Sequence, residues 1–168
     1  MILIVNTTED RGITGSLKTL LDSQNKEYEV VEASSLTIKP CIGCNYCWLK
    51  TPGICSIKDD YEEILKKIIK ADQLWVISDT ALGFIDYKGK NIFDRILPIA
   101  TMYLKFKGDQ MRHVARYKKR TDVGIIVTGE ADMAYLKKWT ARCALNFESE
   151  SLGAYSKESV EEIAACMF

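Results

Sequence analysis

The sequence predicts an α/β fold in which a parallel β-sheet is covered on both faces by helices. Two features of the 168-residue chain support this prediction. Short apolar runs rich in β-branched residues alternate with segments of helical periodicity about five times. The runs are apolar throughout rather than alternately polar, which is typical of strands buried on both faces. Since about 150 residues is a usual domain length, we expect residues 1–168 to form a single domain.

The first half of the chain predicts two strands and two helices. Residues 2–5 are an apolar, β-branched run typical of a buried strand. A polar stretch follows, and residues 16–21 have the pattern of a helix. Residues 28–31 predict a second strand, and the Pro and Gly residues of segment 40–55 predict a loop. Residues 59–71 form an amphipathic helix whose acidic residues lie at its start, where they favour the positive end of the helix dipole.

The second half continues the alternation. Residues 73–78 predict a third buried strand, and residues 122–128 a fourth. Residues 89–104 predict a helix that Pro98 is expected to kink or divide. The rest of the pattern predicts a helix at 131–145, a weaker strand at 147–152 and a helix at 157–166.

Composition excludes several classes of protein. The chain is 47% hydrophobic and 27% charged, which excludes disordered, collagen-like and coiled-coil chains. No apolar stretch approaches the roughly 20 residues that span a bilayer. The start of the chain lacks the pattern of a signal peptide, so we expect a cytoplasmic protein. The 23 basic and 23 acidic side chains balance, which argues against nucleic-acid binding.

The six cysteines are unevenly placed. Four of them lie within 15 residues, at Cys41, Cys44, Cys47 and Cys55, whereas Cys143 and Cys166 are isolated. A disulfide framework would spread its cysteines along the chain. A tight cluster in a chain expected in a reducing compartment indicates metal or redox chemistry instead.

Two loops at the carboxyl ends of predicted strands are candidate ligand sites, because ligands of parallel sheets bind at that edge. The first offers hydroxyl groups and flexible glycines before a helix N-terminus, which favours an anion such as the phosphate of FMN. Arg11 partly offsets Glu9 and Asp10 there. In the second loop Gly83 permits close approach to a planar ligand. The alternatives are an ordinary turn with Ser16 as the helix N-cap, and a plain connection.

The cysteine segment is recognisable. Residues 38–47 (IKPCIGCNYC) and 52–60 (PGICSIKDD) closely resemble the signature of the flavodoxin-like NAD(P)H-dependent FMN reductases, a broad family that includes the iron–sulfur flavoproteins. The likeness covers roughly residues 1–130 and continues through Asp94 and Arg95. Its later part is a pattern of Gly108, His113, Arg116 and Tyr117.

The resemblance implies a flavodoxin-like three-layer sandwich with a five-stranded parallel sheet in the order 2-1-3-4-5. It implies an FMN-dependent oxidoreductase that transfers hydride from NAD(P)H to a quinone, a flavin or another small acceptor. No catalytic side chain is needed, because the cofactors carry the chemistry. The cofactor-binding residues expected for the phosphate and the ring are Thr7, Thr8, Arg11, Gly15, Ser16, Thr80, Ala81, Leu82, Gly83, Phe84, Thr128 and Gly129.

The resemblance also implies a homodimer or tetramer. Tyr87, Phe93, Tyr103 and Phe106 are the expected apolar contacts between subunits. The basic residues between 105 and 120 predict either a solvated face or a rim for the phosphates of the nicotinamide cofactor. The single histidine, His113, is expected to be structural or to lie at the subunit interface.

The chain departs from the family in both candidate loops. Residues 7–10 read Thr-Thr-Glu-Asp where the family usually has Gly-Ser-Pro-Arg, and residues 79–81 read Asp-Thr-Ala where it usually has Pro, an apolar residue and often Tyr. A flavodoxin-like binding module that has lost its cofactor therefore stays open as an alternative function.

Three interpretations of the clustered cysteines stay open. Their spacing resembles that of the four [4Fe–4S] ligands of the iron–sulfur flavoproteins, and thiolates are the usual ligands of such a cluster. A relay of single electrons from the cluster to FMN would make the protein an electron carrier. A zinc site of four thiolates is the second interpretation. The third is a loop that is only packed, as in clusterless members of the family.

Overall fold

The computed structural model describes residues 1–168 and centres on a five-stranded parallel sheet. Its strands lie in the order β2-β1-β3-β8-β9, which confirms the predicted order 2-1-3-4-5. They are β1 (Ile2–Asn6), β2 (Tyr28–Glu32), β3 (Gln73–Ser78), β8 (Asp122–Val127) and β9 (Ser151–Ser156). Two antiparallel ribbons stand beside the sheet: β4 (Thr80–Ala81) with β5 (Phe84–Ile85), and β6 (Ala100–Lys107) with β7 (Gln110–Ala115).

Helices cover the two faces of the sheet. They are α1 (Gly12–Ser23), α2 (Tyr46–Leu49), α3 (Tyr61–Lys70), α4 (Tyr87–Asp94), α5 (Met133–Phe147) and α6 (Val160–Cys166), with short 3₁₀ turns at Leu97–Ile99 and Lys157–Ser159. Alternate residues of each strand enter separate cores: Leu3 and Val5 pack beneath α3, α4 and α5, whereas Ile2 and Ile4 pack against α1 and α6. None of these helices has the length and apolar character that crossing a bilayer requires.

The first helix starts earlier than predicted. It begins at Gly12 rather than at Ser16, because the side chain of Asp10 accepts a hydrogen bond from the Gly12 N–H at 2.9 Å and so stabilises the first turn. Ser16 is therefore not an N-cap: its Oγ donates to the Gly12 carbonyl at 3.1 Å, inside the helix.

The predicted helix 89–104 is wrong in its second half. Helix α4 ends at Asp94, a 3₁₀ turn contains Pro98, and strand β6 starts at Ala100. Proline removes a backbone donor and ends the helix, as expected, but the residues after it pair with β7 instead of resuming a helix.

The end of the chain is also shifted from the prediction. Helix α5 runs on to Phe147, whose side chain packs against the core, and it stops at Glu148 in the left-handed conformation. The last strand is therefore Ser151–Ser156 rather than 147–152. Its carboxyl end brings Ser156 to the edge of the sheet where ligands bind in this class of fold.

Candidate functional site

An open groove of about 790 Å³ lies at the carboxyl edge of the sheet, where β3, β8 and β9 end. This volume is in the range of small-molecule sites, roughly 300–1,000 Å³. The groove is lined by Gly83, Thr128, Gly129, Glu130, Ala131, Met133, Ser156 and Glu158.

Short connections hold the walls of the groove in place. The β4–β5 ribbon turns through Leu82 and Gly83, both with positive φ (53° and 77°), as in the two-residue turns that join twisted strands. The Gly83 carbonyl accepts from the Asp132 N–H at 2.8 Å, which fixes the turn against the start of α5. Thr128 Oγ1 donates to Asp79 at 2.6 Å and ties the β8 loop to the end of β3.

Gly129 lies tightly against its neighbour across the edge. A Cβ at this position would come within 2.4 Å of Thr80 Oγ1, so any side chain there would force Thr80 or one of the two loops to shift. Because Gly129 has no side chain, its backbone is exposed on the surface of the groove. Such a surface suits the approach of a flat ring.

The structure brings together only part of the predicted ring site. Gly83, Thr128 and Gly129 line the groove, and Thr80 lies directly behind Gly129. Ala81 and Leu82 project into solvent. Phe84 is half-buried and does not line the groove: its ring packs edge-on against Trp139 of α5, with the centroids 5.1 Å apart, and its place beside a flavin ring stays a prediction. Ser156 and Glu158 are absent from the sequence-based site because the last strand lies further along the chain than its pattern predicts.

The loop predicted to bind the phosphate, between β1 and α1, does not present its hydroxyl groups to a ligand. Thr7, Thr8 and Thr14 are buried, and their hydroxyl groups have partners inside the protein. Each hydroxyl lies 2.8 Å from an acceptor: the Ile77 carbonyl, the Asn6 side chain and the Glu32 carboxylate, respectively. Arg11, Gly15 and Ser16 are exposed on α1 or at its start, and none of them faces the groove.

The N-terminus of α1 already holds an anion. Asp10 accepts from the Gly12 N–H, and Lys157 lies 3.3 Å from its other carboxylate oxygen. The hydrogen bond from Gly12 and the charge of Lys157 hold the pKa of Asp10 below its ordinary value. The groove thus suits a flavin ring, but the loop does not fit the phosphate of FMN as it stands.

The four clustered cysteines lie around one small cavity. Its volume of about 20 Å³ is room for roughly one water molecule. Cys41 is exposed and the other three are half-buried. Burial raises the pKa of Cys47, and the neighbouring sulfurs of Cys55, Cys41 and Cys44 raise it further, as expected where four thiols converge. The loop turns through Gly43 and Asn45, both with positive φ (66° and 58°).

Arg95 forms the inner wall of this cavity. Its guanidinium pairs with the carboxylate of Asp59, and the two side chains are 1% and 2% exposed. A second nitrogen lies 3.4 Å from Cys55 Sγ, and the guanidinium carbon lies 4.7 Å from the centre of the Tyr61 ring. The buried pair therefore anchors the cysteine loop to the start of α3 and the end of α4.

The side chains around this cavity provide four sulfur donors. No three Cys, His, Asp or Glu side chains are gathered as ligands of a single ion. Four thiols around one cavity fit the ligand set of a [4Fe–4S] cluster, whose cysteines stand further apart. Because the present cavity is small, the loop would have to open on its exposed side, at Cys41.

The three arginines between residues 105 and 120 have structural partners. Arg112 donates to the Leu145 carbonyl at 2.7 Å, Arg116 to the Pro98 carbonyl at 3.1 Å, and Arg120 to Glu148 at 3.0 Å. His113 lies 2.8 Å from the Thr101 carbonyl and stacks beside Trp48, with the ring centroids 4.6 Å apart. These contacts join the β6–β7 ribbon to α5 and to the cysteine loop, and they leave none of these three arginines free as a rim for phosphates.

Two curated relatives are iron–sulfur flavoproteins by name, and no family model matches the chain. The protein named "Iron-sulfur flavoprotein MJ1083" from Methanocaldococcus jannaschii is 38% identical over 73 residues, 44% of this chain and 37% of that protein. An "Iron-sulfur flavoprotein" from Archaeoglobus fulgidus is 38% identical over 69 residues, 41% of this chain and 33% of that protein. The match thus spans about a third of each relative's length. These relatives confirm the family resemblance indicated by the cysteine segment.

Solved structures confirm the flavodoxin-like fold. An NAD(P)H:quinone oxidoreductase from Methanothermobacter marburgensis matches 97% of this chain and 92% of its own, with a TM-score of 0.59 and 14% identity. An FMN-dependent NADH-azoreductase from Bacillus anthracis matches 98% and 97%, with a TM-score of 0.57 and 15% identity. A Megasphaera elsdenii flavodoxin matches 99% and 98%, with a TM-score of 0.53 and 10% identity. Because these three structures are only 10–15% identical in sequence to this chain, the comparison shows a shared fold and nothing more.

Proposed function

We propose that the protein is a flavin-dependent oxidoreductase that takes hydride from NAD(P)H and passes electrons to a small acceptor such as a quinone. Residues 1–168 act as one domain with a single flavin groove. The observation that supports this is the groove at the carboxyl edge of the sheet, floored by bare backbone at Gly129. A bound flavin would supply the redox chemistry, and the chain would supply a shaped site.

The groove residues have positioning roles in this proposal. Gly83 and Gly129 give the ring close access to backbone, and Thr128 holds their two loops together through Asp79. No side-chain acid or base is required, since hydride passes directly between two stacked rings. The groove is open to solvent, which leaves one side for a nicotinamide and then for the acceptor.

Replacing Gly129 with alanine tests the groove. The new Cβ would meet Thr80 Oγ1 at 2.4 Å, so Thr80 or its loop must move at the edge of the groove. We expect riboflavin to bind about tenfold more weakly, equivalent to about 1.4 kcal/mol. Quenching of riboflavin fluorescence during titration measures the affinity.

Gly15→Ala is the matched control for this test. Gly15 is also a predicted cofactor residue, but it lies on exposed α1, and a Cβ added there would have no neighbour within 4 Å. Its substitution should leave riboflavin affinity unchanged. Equal affinities in both variants would count against the groove, and a protein that binds no flavin at all would favour the cofactorless binding module.

A second candidate function is single-electron transfer through an iron–sulfur cluster. The convergence of four thiols on one cavity supports it, as do the two relatives that carry this name. When bound, a cluster would supply one-electron chemistry to the protein. Cys41, Cys44, Cys47 and Cys55 would hold it, and Arg95 would brace the loop from inside.

We also propose that the protein forms a homodimer or tetramer through the β6–β7 ribbon. Tyr103 and Phe106 are 69% and 75% exposed there, beside other exposed apolar side chains, and Tyr87 is 70% exposed on α4. Phe93 is buried in the core, so its predicted place in the interface is wrong.

Light scattering tests this assembly. We expect the mass of an oligomer for the unmodified protein and of a monomer for Phe106→Lys, because a charge would have to be desolvated in an apolar contact. Lys107→Glu, a charge change at the neighbouring position, is the control. A monomer for the unmodified protein at high concentration would contradict the proposal.

A further inference from the structure

The turn between β1 and α1 has few donors left for a phosphate. Its hydroxyl groups are committed to internal acceptors, as described above, and so are most of its backbone N–H groups. Four of these donate within the protein: Thr7 to the Ile77 carbonyl at 2.9 Å, Thr8 to Asn6 at 3.0 Å, Asp10 to the Thr8 hydroxyl at 3.1 Å, and Gly12 to Asp10 at 2.9 Å. A phosphate would have to break these bonds before it could be held.

The carboxylate of Asp10 stands where the helix dipole favours an anion. One oxygen caps Gly12, and the other pairs with Lys157. Lys157 lies between Ser156 and Glu158, which line the groove, so the Asp10–Lys157 pair stands at the end of the groove nearest to α1. The charge of Lys157 is thus already paired within the protein.

The surroundings of this turn are acidic as well. Glu32 binds the side chains of Asn6 and Thr14 on its inner side, each at 2.8 Å. Ser16 borders a surface depression that also contains Glu158, Glu161 and Glu162. A dianionic phosphate would therefore meet carboxylates on several sides, and like charges at short range repel.

We propose that Asp10 determines the specificity of the flavin site: its carboxylate takes the place of a phosphate at the start of α1, so that the protein selects flavins with an uncharged ribityl tail over flavin 5′-phosphates. The Asp10 carboxylate replaces the phosphate only at the start of α1, and the groove for the flavin ring is not affected. The inference rests on the proposed flavin groove, and it names the class of flavin that the groove takes.

The experiment compares riboflavin and FMN affinities for three proteins: unmodified, Asp10→Ser and Glu9→Ser. Serine retains an oxygen that can cap Gly12, so α1 should still form. We expect the unmodified protein to bind riboflavin at least tenfold more tightly than FMN. Asp10→Ser should strengthen FMN binding at least tenfold, with riboflavin changed by less than twofold.

Glu9→Ser is the matched control. It removes the same charge from the adjacent residue, but the Glu9 side chain is 80% exposed and reaches only Lys88, at 4.0 Å. It should leave the ratio of the two affinities unchanged. If FMN binds the unmodified protein as tightly as riboflavin does, or if Glu9→Ser matches Asp10→Ser, the proposal is wrong.

A titration with inorganic phosphate tests the role of Asp10 independently of the proposed flavin function. The Gly12 amide resonance is followed by NMR while phosphate is added to the unmodified protein and to Asp10→Ser. A shift in the variant alone supports the role of Asp10, even if neither protein binds a flavin and the proposed function fails. An equal shift in both proteins, or none in either, overturns it.

Discussion

Replacing Arg95 with leucine should lower the free energy of unfolding by about 3–5 kcal/mol, since it leaves the Asp59 carboxylate buried without its cation. The two side chains are 1% and 2% exposed, so water cannot replace the lost partner without opening the loop. Arg95 also donates to the Lys39 carbonyl at 3.1 Å, and leucine cannot. Urea denaturation followed by circular dichroism measures the loss.

A surface pair provides the control. Lys66 pairs with Glu63 at 2.7 Å on the solvent-facing side of α3, where both side chains are more than half exposed. Lys66→Leu should change the free energy of unfolding by less than about 1 kcal/mol. A similarly small effect for Arg95→Leu would show that Asp59 is hydrated and that the pair does not anchor the cysteine loop.

The pH dependence of the same variant has a defined sign. Burial alone would raise the pKa of Asp59, but the hydrogen bond and charge of Arg95, together with backbone hydrogen bonds from Lys39 and Tyr61, outweigh burial and lower it. A lowered pKa in the folded state contributes stability above the unfolded pKa, about 3.9, and this stability is lost as pH falls through the folded pKa. In Arg95→Leu the backbone N–H groups of Lys39 and Tyr61 still bind the carboxylate, at 2.9 and 3.2 Å, but the guanidinium that lowers its pKa is gone. The deficit against the unmodified protein should therefore be smaller at pH 4 than at pH 7.

The three central strands of the sheet, β1, β3 and β8, are predictable because they are mostly apolar and buried. The run from Gln73 to Ser78 is buried at every position, and a run of that kind has few alternatives to a strand covered on both faces. The strand order follows from the resemblance rather than from the pattern. The prediction misplaces strand β9 because α5 uses Phe147 as a core residue, which makes its last turn look like the start of a strand.

The β6–β7 ribbon is not predictable from hydrophobic periodicity. Its apolar residues, such as Leu104 and Phe106, face solvent, so they carry no signal of a buried face. What fixes the ribbon is tertiary: Arg112 and Arg116 reach carbonyl groups of Leu145 and Pro98, far along the chain. Single-sequence reasoning assigns those arginines to a solvated face or to a ligand.

The location of the candidate site is more predictable than its chemistry. Glycines at 83 and 129 and the hydroxyl of Thr128 mark the edge of the sheet where the groove lies. The threonines of the first loop look like donors for a phosphate, because residue type does not show which acceptor a hydroxyl faces. Asp10 is recognisable from the sequence as unfavourable for phosphate, but its pairing with Lys157 joins residues 147 positions apart.

Cys47→Ser should abolish iron binding if the cysteine loop holds a cluster. We expect about four iron and four sulfide per chain after anaerobic purification of the unmodified protein, as for a [4Fe–4S] cluster on four thiolates. In the variant both should fall to near zero, because half-buried Cys47 lines the same cavity as the other three cysteines and each thiolate is a required ligand. Iron and acid-labile sulfide assays, with a visible spectrum, measure the result.

Cys143→Ser is the control, since Cys143 packs against the core on α5, away from the cavity of the other four. Its substitution should leave iron and sulfide unchanged. If the unmodified protein contains neither, the loop is only packed. In that case Cys47→Ser should cost about 1 kcal/mol of stability, an ordinary value for a single substitution, with flavin affinity unaltered. The cluster and the packed loop thus differ by about four iron atoms per chain. Arg95 is needed in both cases, because it contacts Cys55 from inside the protein whether or not the sulfurs bind iron.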